Sequence, residues 1–166
     1  MGIIVRYVGR PDIAPLSMSN GLTAVFFSVM AIAASMQATT DRQRLLAVWI
    51  ASHDQGIYGR GTVDTDLEEI PWSIETLEED RDFLRRVATA ALEKLGWARL
   101  NYEPKEEMVF ACLRQFRSML DAFSPEHLIA ANAPEWRFGE APSSFQQCQR
   151  HGVYLHTEGC ILCNDD

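Results

Sequence analysis

No stretch of this chain reads as a glycine-rich phosphate loop, a nucleophile elbow or an H-E-x-x-H zinc helix, and no segment repeats or falls into low complexity. Each of those patterns sets reactive groups at a fixed spacing, so their absence weakens an enzyme reading without removing it. Long apolar runs are scarce too. The most apolar stretch, Leu22–Met36, covers 15 residues without a charge, fewer than the roughly 20 that a bilayer-spanning helix needs. Arg6 and Arg10 precede it and Ala33-Ala34-Ser35 imitates a cleavage site, but a leader of that length is unusual. A buried helix, or a contact through 22–36 between two copies of the chain, fits better. No membrane is expected, and four thiols, three of them at metal-binding spacing, without a convincing export signal point to the cytoplasm.

Positive charge is in deficit. The chain carries 15 Lys and Arg against 23 Asp and Glu, for a net charge of −8. From Asp54 to Asp82 ten acidic residues face two arginines, and the remainder of the chain balances to zero. Such a field repels phosphate backbones and anionic lipid and favours encounter with a basic surface. Nucleic acid is therefore not expected as the main ligand, and a basic protein partner is, with Asp64, Asp66, Glu68, Glu69 and Trp72 as its candidate contacts. The plainer reading of the same acids is a solvated helix start and loop that keep the protein soluble.

What is present suffices for one core. With 166 residues and 47% hydrophobic content, the expected fold is mainly α: a single helical bundle of four to five helices over residues 1–133, a connector at 134–147, and a small zinc knuckle with a short β-hairpin at 148–166, packed on the bundle. Gly2–Val8 is β-branched and aromatic and reads as a strand without an evident partner. Ser19-Asn20 caps the apolar helix, and Asp41 caps the next, whose stripe is Leu45, Leu46, Trp49 and Ile50 and whose stop is Gly56. An acidic loop follows at about 54–75, with a short strand at 61–63. Thr76 and Glu79 have the spacing of a capping box ahead of Leu84, Val87, Ala88, Ala91 and Leu95, and Gly96 sits where a left-handed cap residue belongs. Pro104 opens a helix with Val109, Leu113, Phe116, Leu120 and Phe123 on one face, where Cys112 reads as a buried thiol; Ser124-Pro125 opens a shorter helix.

The most specific signal lies near the end. Cys148, His151, Cys160 and Cys163 form C-x2-H-x8-C-x2-C. Zinc takes four sulfur and nitrogen ligands in a tetrahedron, and two close pairs let one chain supply both halves after a single reversal. His156 is the alternative fourth ligand. The residue after each pair is Gly152 or Asn164, the types that best tolerate positive φ. In this respect both turns resemble the knuckles of zinc-ribbon and related zinc-finger proteins. That resemblance covers about 17 residues and implies a fold element, with no reaction attached. Four protein ligands leave no open position, so the expected Zn2+ is structural.

Two other functions stay open at this level. His53, Asp54, Asp64, Asp66 and Glu69 could line a metal-dependent hydrolase or nuclease pocket if they converge. Arg114, Arg117, Arg137 and Arg150 could form a zinc-dependent nucleic-acid surface if they share a face. The run from Asp64 to Glu69 lacks the glycine and the later glutamate of a calcium loop.

Overall fold

The computed structural model describes residues 2–58, 64–131 and 136–165. The chain is mainly helical and carries a small three-stranded sheet. Strand β1 (Gly2–Arg6) lies between β2 (Leu16–Met18), antiparallel to it, and β3 (Thr65–Asp66), parallel to it. The partners that the sequence did not reveal are thus a short return strand and a piece of the acidic segment. Leu16 and Met18 are buried while Ser17 between them is exposed, the period of two that a strand with one covered face requires. At the parallel edge Arg6 pairs with Asp66 at 2.9 Å. The strand expected at 61–63 falls outside the described residues.

Helix α1 (Asn20–Gln37) runs through the middle of the molecule. Ser19 caps it as expected, its hydroxyl accepting from the Leu22 N–H at 3.2 Å. Thr23, Ala24 and every residue from Phe26 to Ser35 are buried. By length and composition this helix can cross a membrane, but 61% of it is buried within the fold; the chain's own core accounts for its apolar character. Helix α2 (Asp41–Ala51) is capped by Thr40 rather than Asp41, because the Thr40 hydroxyl reaches the Gln43 N–H at 3.1 Å. Asp41 becomes the first helical residue, where a negative charge meets the positive helix end, and pairs with Arg44 at 2.8 Å. The helix ends at Ser52, ahead of the expected glycine. Gly56 belongs instead to a single turn, α3 (Gln55–Tyr58), where a β-carbon would lie 2.5 Å from the Asn164 carbonyl oxygen.

Helix α4 (Leu77–Leu92) packs on α5 (Glu106–Ala122), and both pack on α1. The expected Thr76/Glu79 capping box is not made. The Thr76 hydroxyl donates to Asp80 at 3.0 Å, since Asp80 is buried and already held by Arg42 of α2 at 2.8 Å. The C-terminal end of α4 differs too. Lys94 is the left-handed residue (φ 62°), with the Lys94 N–H on the Ala91 carbonyl and the Leu95 N–H on the Ala90 carbonyl, both at 3.0 Å, the bonding of a Schellman motif. Gly96 (φ 77°) opens the following turn, Trp97–Arg99, and is needed twice over: a β-carbon there would lie 2.3 Å from Ile32 Cγ2 and 2.7 Å from Met36 Sδ.

Helix α5 starts two residues after Pro104, with Lys105 at the cap position. Its buried face holds Val109, Cys112, Leu113, Phe116 and Leu120, and Phe123 is buried just beyond it. Burial pushes the Cys112 thiol up, which fits the inert, core-filling role expected of it. Helix α6 (Pro125–Ala131) follows as expected. A last turn, α7 (Ile161–Asn164), touches α3 and α1 and so brings the terminal segment onto the bundle.

Candidate metal centre

Two tight turns build the terminal site. In the first, the Gly152 N–H donates to the Cys148 carbonyl and the Cys148 N–H to the Val153 carbonyl, both at 2.8 Å. Gly152 has φ 70°, as a turn of this kind needs, and its backbone is clamped by Arg99, which donates to the His151 carbonyl at 3.0 Å. In the second, Cys160 precedes α7 and Cys163 lies in it, with the Asn164 N–H on the Cys160 carbonyl at 3.0 Å. Asn164 is helical, so the expected positive φ occurs at Gly152 alone of that pair. Between the turns the expected hairpin is reduced to isolated antiparallel bridges, Gln147 with Tyr154 and His156 with Gly159. Val153, Tyr154 and His156 are all buried, so the segment is covered on both sides and does not alternate.

The turns bring Cys148, His151, Cys160 and Cys163 together, with one ligand atom of each within 4.8 Å of all the others. These four lie close enough to hold a metal ion. Cys148 Sγ is 3.7 Å from Cys163 Sγ, and His151 Nδ1 is 3.8 Å from Cys148 Sγ, 3.7 Å from Cys160 Sγ and 3.3 Å from Cys163 Sγ. A zinc tetrahedron with bonds of about 2.3 Å to sulfur and about 2.0–2.1 Å to nitrogen has edges of about 3.8 Å between sulfurs and about 3.6 Å between sulfur and nitrogen. The four observed separations, one sulfur–sulfur and three sulfur–nitrogen, lie within about 0.3 Å of those edges, and the two remaining sulfur–sulfur separations are within 4.8 Å.

The surroundings act differently on the three thiols. Burial pushes the Cys148 thiol up, but the His151 and Arg150 N–H groups and the neighbouring sulfurs outweigh it, and the net direction is down. Burial lifts the Cys160 thiol to about 12, against the opposing Cys163 and Leu162 N–H groups, and also raises Cys163. A cation at the centre replaces those protons with its own charge, so uptake of the ion releases protons.

His156 is not a ligand. Its Nδ1 accepts from the Glu158 N–H at 3.2 Å, which leaves Nε2 as the protonated nitrogen, and Nε2 donates to Asp54 Oδ2 at 2.8 Å. Both nitrogens are thereby used. Asp54 Oδ2 also accepts from Asn164 Nδ2 at 2.9 Å, and Asp54 Oδ1 from the Gly56 N–H at 3.0 Å. The side chains of Asp54 and His156 are each 1% exposed. Asp54, a candidate for the hydrolase pocket, and His156, the alternative zinc ligand, therefore dock the terminal segment onto the end of α2. Spacing alone shows only the four ligands; the Asp54 to His156 contact spans 102 positions, and no local pattern announces it.

His53 does not join this network. Its ring is buried, stacked on Phe27 at 4.5 Å between centroids, with Nδ1 donating to the Trp49 carbonyl at 2.9 Å and Nε2 without a partner. Burial lowers its pKa to about 3, whereas an unfolded chain presents a histidine near 6.5. Below about pH 6.5 the unfolded chain takes up the proton first, so this group's contribution to stability is complete above that pH and is lost progressively toward pH 3. We expect a loss of about 2–3 kcal/mol between pH 6.5 and 4.5 from this group, at about 1.4 kcal/mol per unit. Urea denaturation at the two pH values measures it, and His53→Phe should show a correspondingly smaller acid loss.

The acidic candidates are largely committed inside the chain. Asp66 pairs with Arg6, Glu68 accepts from the Val8 and Gly9 N–H groups, Glu69 accepts from the Asp66 N–H and lies 3.7 Å from Arg137, and Asp64 lies 3.5 Å from Arg137. Trp72, expected at an interface, is a core residue: it is 4% exposed, stacks on Phe123 and donates from Nε1 to the Leu67 carbonyl. Among the described residues, His53, Asp54, Asp64, Asp66 and Glu69 form no metal-holding group, which removes the geometry that the hydrolase reading required. Of the arginines, Arg137 serves the acidic segment, Arg117 donates to Thr89 and Arg114 lies over the Phe110 ring. No family model, curated protein or solved structure matches the chain, so its function has to be argued from this geometry.

Proposed function

We propose that the chain is a zinc-stabilised, non-enzymatic module in which one structural Zn2+, held by Cys148, His151, Cys160 and Cys163, fixes the terminal segment against the helical bundle. The observation that carries this is the set of four ligand atoms within 4.8 Å of one another, of whose separations one sulfur–sulfur and three sulfur–nitrogen distances are near the edges of a zinc tetrahedron. Four protein ligands leave no coordination position for water or substrate, the arrangement of a structural site. Metal analysis of the purified protein tests it: one zinc per chain is expected, and Cys160→Ser should lose it. A chain free of zinc after growth and purification in zinc-containing medium refutes the reading.

A basic protein partner remains part of the proposal, moved to a different set of residues. Ile74 is 58% exposed in the short turn just before α4, and Glu75, Glu78, Glu79 and Asp82, near it in sequence, are exposed as well. An apolar anchor inside an acidic rim suits a basic surface with an apolar centre. Proteins captured in low salt and released in high salt should be basic and should be lost with Ile74→Ala combined with Glu75→Lys and Glu79→Lys. Capture that survives those replacements counts against this face.

A further inference from the structure

The four ligands are not equally sheltered, and that asymmetry has chemical meaning. Cys160 is 4% exposed and His151 7% exposed, whereas Cys148 is half-buried and Cys163 exposed. The two accessible sulfurs adjoin each other, with Sγ atoms 3.7 Å apart. They belong to different turns, Cys148 to the first and Cys163 to α7, so a bond between them closes the same loop that the metal closes. An oxidant arriving from solvent meets this edge of the tetrahedron first.

We propose that Cys148 and Cys163 form a two-electron oxidation site for hydroperoxides, at which a disulfide replaces the metal as the closure of the terminal loop. This rests on the zinc reading above. The Cys163 thiolate attacks the distal peroxide oxygen, the O–O bond breaks, and Cys163 sulfenic acid and hydroxide result. The Cys148 thiolate then attacks the Cys163 sulfur, expels a second hydroxide and forms the S–S bond. Two thiolates lose two electrons, hydrogen peroxide gains them, and two protons from solvent complete two waters. The sulfurs have to close from 3.7 Å to about 2.05 Å, a movement within one coordination shell.

His151 and Cys160 alone cannot complete a tetrahedron, so the ion leaves. The segment has a second hold on the bundle that contains no sulfur. Asp54 still accepts from His156 and Asn164, and the Tyr154 N–H still donates to Ser35 at 3.0 Å. With the disulfide closing the loop and these contacts added to it, the oxidised chain keeps its terminal segment docked, and the metal's exit is separated from unfolding; without either closure the contacts alone do not hold it. Cys160 stays a thiol beneath it.

Zinc-loaded full-length Cys112→Ala protein, which lacks the core thiol, is the material for the test. Its zinc content is measured first; it is then treated with hydrogen peroxide while a chromogenic chelator follows zinc release, alkylated, and mapped by mass spectrometry. Release of one zinc per chain is expected, with Cys148 linked to Cys163, Cys160 recovered as the alkylated thiol, and hydrogen-exchange protection retained at the Tyr154 and Asn164 amides. A disulfide that contains Cys160, or zinc held while Cys163 is oxidised to sulfinic acid, overturns the proposal. Absence of zinc at the outset is a failure of the metal reading alone, and the pairing of the thiols then still decides which edge is oxidised.

Discussion

Chelation of the metal under reducing conditions is expected to release residues 148–165 from the bundle while the long helices stay folded. Apparent free energies for structural zinc in small modules are on the order of 10 kcal/mol near neutral pH, more than this segment's own side chains can supply. Between the two turns there are only isolated bridges, and the final helix is a single turn; neither holds without a closure. The bundle differs in extent: α1, α2, α4 and α5 share one continuous core through Phe26, Met30, Leu46, Phe83, Leu84 and Leu113, to which the terminal segment adds Val153, Tyr154, Cys160, Ile161 and Leu162. Far-ultraviolet circular dichroism should change little on addition of chelator. Hydrogen exchange at 148–165 should accelerate by several orders of magnitude, and Cys160→Ser should reproduce that state without chelator. A melting temperature and an exchange pattern indifferent to both treatments refute the structural role.

The second large effect is at Asp54. Asp54→Ala strips the acceptor from three donors at once, His156 Nε2, Asn164 Nδ2 and the Gly56 N–H. Breaking a buried network of this kind by deleting one partner costs about 3–5 kcal/mol, because the remaining donors are left buried and unmet. Asp54→Asn retains a single carbonyl oxygen and should recover roughly half of that loss. Zinc content should stay at one per chain in both variants, since Asp54 touches no ligand. Urea denaturation of the zinc-loaded proteins, together with their metal content, separates docking from ligation; a loss of zinc in Asp54→Asn with unchanged stability argues that the carboxylate acts on the metal instead.

These two effects divide along the line between what the sequence displays and what it conceals. The ligand set is legible because zinc chemistry dictates residue types at short spacing, and Cys148, His151, Cys160 and Cys163 satisfy it within 16 consecutive residues. The helices α1, α4 and α5 are legible from caps and periodic apolar positions. The parts that were misread depend on distant neighbours. Thr76 has the residue that a capping box needs three positions on, yet it turns to Asp80, because Arg42 from another helix has already fixed that carboxylate. Gly96 is left-handed as expected, but the cap of α4 is Lys94, and the glycine is required also by its contact with Ile32 of α1. Trp72 sits among acidic residues in sequence and under Phe123 in space. The two-residue strand β3 pairs with β1 across 60 positions, a register that no local pattern encodes.

The approach of Ile32 and Met36 to Gly96 binds three positions into one evolutionary unit. At φ 77° a β-carbon at 96 is strained in any case, and it also requires the buried Ile32 to shrink and the partly exposed Met36 to turn aside; shrinking Ile32 first leaves a void in the core. Either order passes through a weakened intermediate, so drift at 96 is opposed by its backbone and by Ile32 together. Mutational tolerance around this junction is accordingly set by backbone conformation and a packing contact with α1.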